Sequence, residues 1–173
     1  MRRRHFLALG AATLITPKLA LAARPVRELA FHNLHTAESV RVPYWVDGHY
    51  DADALAEIAR VLRDHRNDES HPINRGLLDL LHQLTGKLER TSHIQVISGY
   101  RSPASNAKLR RQGRGVAKRS LHMQGKAIDL RFERVPLKHV HQAALGLRSG
   151  GVGYYAKSGF VHLDVGRVRR WGG

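Results

Sequence analysis

The chain has 173 residues, 42% of them hydrophobic and 25% charged, which is enough for one core and too short for two full-sized domains. Lys and Arg number 29 against 14 Asp and Glu, a formal +15, so an acidic partner or an anionic surface suits it. There is no cysteine, which excludes disulfides, iron–sulfur clusters, thiolate zinc sites and a Cys nucleophile, and leaves 12 His with the carboxylates as possible metal ligands.

Residues 1–22 read as an export signal: Arg2-Arg3-Arg4, a short apolar stretch to Ile15, then Ala20-Leu21-Ala22 as a small-x-small cleavage site. The Arg3-Arg4-His5-Phe6-Leu7 run is that of a twin-arginine leader; the alternative is an ordinary basic amphipathic N-terminus. The apolar run is far shorter than the ~20 residues a membrane span needs. Removing this leader leaves 25 basic against 14 acidic side chains, a net +11. The expectation is an exported, periplasmic, soluble and basic domain over residues 24–173.

Residues 29–46 alternate loosely (Leu29, Phe31, Val40, Val42, Tyr44), which predicts a hairpin about Thr36-Ala37-Glu38. Asp51 and Asp53 can cap a helix with Leu55, Ile58, Ala59 and Leu62 on one face, running to about His65. A loop over 66–72 leads to a second amphipathic helix carrying Leu77, Leu78, Leu81, Leu84 and Leu88. A short strand follows at 94–97, a short helix at 104–111, and a loop at Gly113-Arg114-Gly115. Then come a strand at 127–132, a helix at about 136–147, and strands near 151–155 and 160–165. That order predicts an α+β fold: one compact domain with a small antiparallel sheet packed by helices.

The chemistry concentrates in Ser98-Gly99-Tyr100-Arg101-Ser102-Pro103, in Ser120-Leu121-His122-Met123-Gln124-Gly125-Lys126-Ala127-Ile128-Asp129, and in Phe160-Val161-His162-Leu163-Asp164. Asp129 stands in an apolar strand, where an unpaired buried charge costs several kcal/mol, so it faces water, pairs with a cation or binds a metal. His162 lies between Val161 and Leu163, and strand alternation puts Asp164 on the same face. His122, Asp129 and His162 on adjacent strands could form a two-His, one-carboxylate set, which suits zinc and leaves a fourth position open for water. A polar strand face, or an Asp129–Arg ion pair, would account for the same residues without a metal.

Ser120-x-His122-x-x-Gly125-x-Ala127-x-Asp129 with a later strand bearing His162 resembles the zinc D-Ala-D-Ala peptidase superfamily, which also contains the hedgehog signalling domain. Within it the chain is most similar to the YcbK-like murein endopeptidases, which share a twin-arginine leader, a Ser-Gly-Tyr-Arg-Ser segment and a Phe-Val-His-x-Asp ending; the likeness spans about residues 27–171. The resemblance implies Zn²⁺ as cofactor on His122, Asp129 and His162, with Arg101 stabilising the developing oxyanion. It implies hydrolysis of peptide bonds in peptidoglycan stem peptides or crosslinks. Arg101 read without the resemblance is a turn residue pairing with a carboxylate.

One position departs from the family pattern. Many relatives carry a Glu, Asp or His two or three residues before the last ligand, where Phe160 and Gly159 stand here. Asp164 is the first candidate to orient His162 or accept a proton, with His71 a weaker one. Ser120 reads as a local partner with no His–Asp pair to activate it, and Gly125 as the turn before the Asp129 strand. His139 and His141, two apart on a helix, diverge. The lost base position leaves a second reading open, a zinc-containing module that binds murein or a protein without cutting. Arg110, Arg111, Arg114, Lys118, Arg119, Arg167, Arg169 and Arg170 could suggest nucleic acid, but export argues against that partner, and the 108–119 cluster reads as a rim for an anionic substrate.

Overall fold

The computed structural model describes residues 25–89, 93–113 and 115–172, so the expected export signal lies outside the described residues. Strands β1 (Val26–Asn33) and β2 (Ser39–Val46) form the expected hairpin, with Phe31 opposite Val40. A two-residue strand β3 (His49–Tyr50) folds back on β2. Helix α1 (Ala52–Val61) begins at Asp51, whose carboxylate accepts from the Ala54 amide at 2.9 Å. The sequence pattern carries this helix on to His65, but it ends at Val61. The Asp64 carboxylate is drawn instead to Ser102, accepting from that residue's amide and hydroxyl, each at 2.9 Å.

Helix α2 (Arg75–Lys87) buries Leu77, Leu78, Leu80, Leu81 and Leu84. Strand β4 (Ile94–Ser98) leads into α3 (Pro103–Arg111), capped by Ser102, whose hydroxyl accepts from the Ser105 amide at 3.1 Å. A 3₁₀ turn at Leu121–Gln124 precedes β5 (Ala127–Phe132), then α4 (Leu137–Leu145), β6 (Gly151–Tyr155), β7 (Phe160–Asp164) and β8 (Arg169–Trp171). The 3₁₀ turn, β3 and β8 are additions to the sequence reading.

All eight strands join one sheet in the order β3-β2-β1-β4-β5-β7-β6-β8. The α+β class stands as expected, but the sheet is neither small nor wholly antiparallel: β1 runs parallel to β4, and β6 parallel to β8. The reason lies in the connections. The β1–β4 pair is separated by α1 and α2, and a parallel neighbour requires such a long crossover. Helices α1 and α2 pack on β1 and β2, and α4 on β5, β6 and β7. Between helices and sheet lie Phe31, Ile58, Leu78, Leu81, Ile94, Ile128, Leu130 and Val161, all fully buried. Each such side chain contributes roughly 1.5–3 kcal/mol of burial. Among the described residues no helix is long and apolar enough to cross a membrane.

Alternation along β5 and β7 sends Ile128, Leu130, Val161 and Leu163 into that core, and therefore turns Asp129, His162 and Asp164 to the opposite face. On β4 the register with β5 slips between Val96 and Ser98. Ile97 is the extra residue of this bulge, which brings Ser98 opposite Asp129 instead of continuing the core-facing row of Ile94 and Val96. One row across the sheet then reads Ser98, Asp129, His162, Gly153, Trp171.

Candidate metal centre

That row builds the site. His162 on β7 stands directly across from Asp129 on β5, and its Nδ1 lies 2.8 Å from Asp129 Oδ1. His122 arrives from the 3₁₀ turn, which closes on Gly125 in the left-handed conformation (φ 60°). A Cβ at Gly125 would collide with the Pro72 carbonyl, so both backbone conformation and space require glycine there. His122 Nε2 sits 3.2 Å from His162 Nδ1 and 3.4 Å from Asp129 Oδ1.

The donor set fits a tetrahedral ion. Ligand atoms 2.0–2.1 Å from zinc stand about 3.3 Å from one another. Two of the three spacings match, and the third asks for an opening of about 0.5 Å. Each ring is fixed by its other nitrogen. His122 Nδ1 is 2.7 Å from the Gly99 carbonyl, to which only an N–H can donate, so Nε2 carries the lone pair. His162 Nε2 is 3.0 Å from Asp164 Oδ2, which leaves Nδ1 as the lone-pair nitrogen by the same argument. Among the described residues, these three form the one group placed to hold a metal ion.

Asp164 is fully buried, and its oxygens are taken. Arg169 donates to them at 2.6 and 3.0 Å, the Gly151 amide at 3.1 Å and the Gly166 amide at 2.8 Å. Burial alone would raise the carboxyl pKa of Asp164, but the contacts to His162 and Arg169 hold it well below the usual range. Asp129 behaves alike: burial opposes its charge, and protons taken up by His122 and His162 when no ion lies between them outweigh that and pull it down. Burial also works to lower His162, and its two carboxylate partners reverse the sign and raise it.

Arg101 follows β4 and is 7% exposed. Its Nη2 donates to Ser98 Oγ at 3.4 Å and lies 3.8 Å from Asp129 Oδ2, while its Nε is buried without a partner. Burial lowers its pKa, and Asp129, Asp64 and Tyr155 pull the other way. A guanidinium so held keeps donor capacity in reserve beside the three ligand atoms.

These residues open onto a cavity of about 490 Å³, lined also by Arg119, Ser120, Tyr155, Phe160, Arg169 and Trp171. The sequence reading had not singled out Tyr155 and Trp171, and it missed the Gly99 carbonyl as a partner for His122. Only the fold brings Gly153 opposite Trp171, where a Cβ would come within 2.6–2.7 Å of the indole. His71 lies off the cavity, stacked on Tyr100 at 4.8 Å between centroids. Burial, with the Glu69 contact, pushes that phenol up to about 12. His139 is exposed on α4 and His141 packs against Tyr154, both outside the site. Ser120 is buried before the 3₁₀ turn, and its side chain caps nothing.

The family model described as peptidoglycan L,D-endopeptidase MepK matches residues 21–171. The chain is 43% identical over 166 residues to the peptidoglycan L,D-endopeptidase MepK of Escherichia coli K12, covering 95% of this chain and 91% of the relative. The same figures hold for the protein of that name from Shigella flexneri. A probable peptidoglycan L,D-endopeptidase MepK from Haemophilus influenzae is 40% identical over 169 residues, 96% of this chain and 91% of that one. No solved structure matches the chain.

Proposed function

Since the chain belongs to the peptidoglycan L,D-endopeptidase MepK family, we propose that it is a zinc-dependent murein endopeptidase that cuts an L,D peptide bond in crosslinked stem peptides outside the cytoplasm. The single observation that carries the metal reading is the convergence of His122 Nε2, Asp129 Oδ1 and His162 Nδ1 within 2.8–3.4 Å of one another, each imidazole turned by a partner on its far nitrogen.

Zinc, when bound by those three atoms, supplies Lewis-acid activation of water and of the scissile carbonyl. The chain's own residues do the rest. The Gly99 carbonyl and Asp164 lock the two imidazoles in the tautomers that point lone pairs inward. Arg101, pinned by Ser98 and Asp129, offers its remaining N–H groups to the oxygen on which negative charge develops. Asp164 is assigned to orienting His162 and not to taking a proton, because five donors already surround it. The net positive charge suits a substrate rich in carboxylates, and Arg119 on the cavity rim faces that substrate first. The twin-arginine leader over 1–22 is proposed as the route to the periplasm.

The test is metal content and digestion of purified crosslinked murein, run side by side on wild type and His162→Ala. About one zinc per chain and loss of crosslinked dimers with wild type alone is the expected result. Zinc without product would favour the murein-binding module, and absence of metal from both proteins would overturn the ligand assignment.

A further inference from the structure

Among the described residues that line the cavity, the only carboxylates and imidazoles are the three proposed ligands and Asp164. The remaining uncharged side-chain hydroxyls are those of Ser120 and Tyr155. Ser120 is 7% exposed, whereas Tyr155 is 39% exposed on the open side.

Tyr155 is nevertheless held. Its ring stacks on Phe160 with centroids 4.6 Å apart, and its oxygen accepts the indole N–H of Trp171 at 2.9 Å. Trp171 is positioned in turn by the Arg169 guanidinium 4.9 Å from its ring centre and by the His162 ring 5.1 Å away. It lies flat over Gly153, the one residue of its row that could admit it, since a Cβ there would meet three indole atoms at 2.6–2.7 Å. A phenol that accepts from an indole keeps its own O–H hydrogen to donate, and an indole can only donate. The direction of this contact is therefore fixed, and the spare hydrogen belongs to Tyr155.

We propose that Tyr155 is a catalytic hydrogen-bond donor to the scissile carbonyl oxygen of the peptide substrate, with Trp171 its positioning residue. Arg101 approaches that oxygen from the β4 side and Tyr155 from the β6 side, so developing charge meets two preset donors. No proton leaves the phenol; its hydrogen bond shortens as the carbonyl oxygen gains charge. The inference rests on the peptidase reading above.

Three full-length variants test it: Tyr155→Phe, Trp171→Phe and Gly153→Ala. Turnover of a purified crosslinked muropeptide is to be measured with zinc content and Tm. Affinity for a phosphinate isostere of the scissile bond is to be measured by calorimetry. Tyr155→Phe should lower kcat by about 10- to 100-fold with KM changed less than about 3-fold, and weaken the phosphinate by a similar factor. Zinc content and Tm should stay at the wild-type values. Trp171→Phe and Gly153→Ala should reproduce a smaller part of that loss in kcat, and Trp171→Phe combined with Tyr155→Phe should be no worse than Tyr155→Phe alone. Full kcat and full phosphinate affinity in Tyr155→Phe would overturn the proposal, as would a loss confined to KM. Should wild type itself fail to cleave, the peptidase reading falls, and Tyr155 is still judged by the phosphinate affinities.

Discussion

Two buried carboxylates, Asp64 and Asp129, sit at opposite ends of the Ser98–Ser102 segment and differ in what surrounds them. Asp64 is met by groups that can only donate or are free to donate: the Ser102 amide and hydroxyl on one oxygen, the Arg66 amide at 3.2 Å and guanidinium at 3.3 Å on the other. Asp129 is met at close range by two imidazole nitrogens that the rest of the fold has turned into acceptors, with Arg101 no nearer than 3.8 Å. The first carboxylate is complete as the chain folds. The second leaves three lone-pair atoms facing one point, an arrangement that only a cation or extra protons can satisfy. Burial of an acid therefore says little by itself; the polarity of its neighbours separates a structural clamp from a ligand.

The sharpest break in this contrast comes from exchanging the two losses. Asp129→Ala should abolish murein cleavage, by about 10³-fold or more, and take zinc from about one per chain to none, while the metal-free protein, which loses the carboxylate beside buried Arg101 and His162, melts lower but stays folded. Metal analysis with a thermal melt of apo-protein checks both halves. Asp64→Ala should do the reverse, costing about 3–5 kcal/mol of stability because the buried Ser102 amide and hydroxyl lose their acceptor, while the folded fraction still takes up zinc. Denaturant unfolding in chelator reads this directly.

A smaller effect sharpens the ligand side. Asp164→Asn keeps the shape but weakens the hold on His162 Nε2, so zinc affinity should fall by about 10- to 100-fold with the domain still folded at saturating metal. Competition with a chromophoric chelator measures it. If affinity is unchanged, Asp164 does not orient the ring.

The smallest effect separates the regions by pH. Burial, with Arg66 and His35 nearby, lowers His65 to about 4, so its neutral form is the folded one. Its contribution is complete above the ordinary value of 6.5 and is lost as pH falls through 4, by about 1 kcal/mol after allowance for partial exposure. Burial opposes the Asp64 charge, yet Ser105 and Ser102 bring it down to about 2, so its share is present above 3.8 and lost only as pH falls toward 2. Melts of apo-protein across pH 7 to 2 should decline throughout, and His65→Gln should flatten the part between pH 6.5 and 4 while leaving the fall toward pH 2 in place.

The sequence pointed to the candidate ligands and hid the clamp for physical reasons. His122, Asp129 and His162 stand in short patterned segments whose spacing survives without a structure, and the motif around them spans a single turn and strand. Asp64 is invisible because its partner lies 38 residues away, so its neighbourhood reads as more helix. The bulge at Ile97 is silent in the apolar pattern of 94–97, and strands of two or three residues, β3 and β8, are too short to show a period. The parallel placement of β1 beside β4 depends on which way α1 and α2 carry the chain, which local spacing does not encode.

Strand β8 gives the edge of the sheet a hold on two places at once. Over three residues it supplies Arg169, which holds Asp164, and Trp171, which steadies Tyr155, while His122, Asp129 and His162 all come from other segments. Displacing this one edge strand would keep every candidate ligand in the chain and release Asp164 and Tyr155 together.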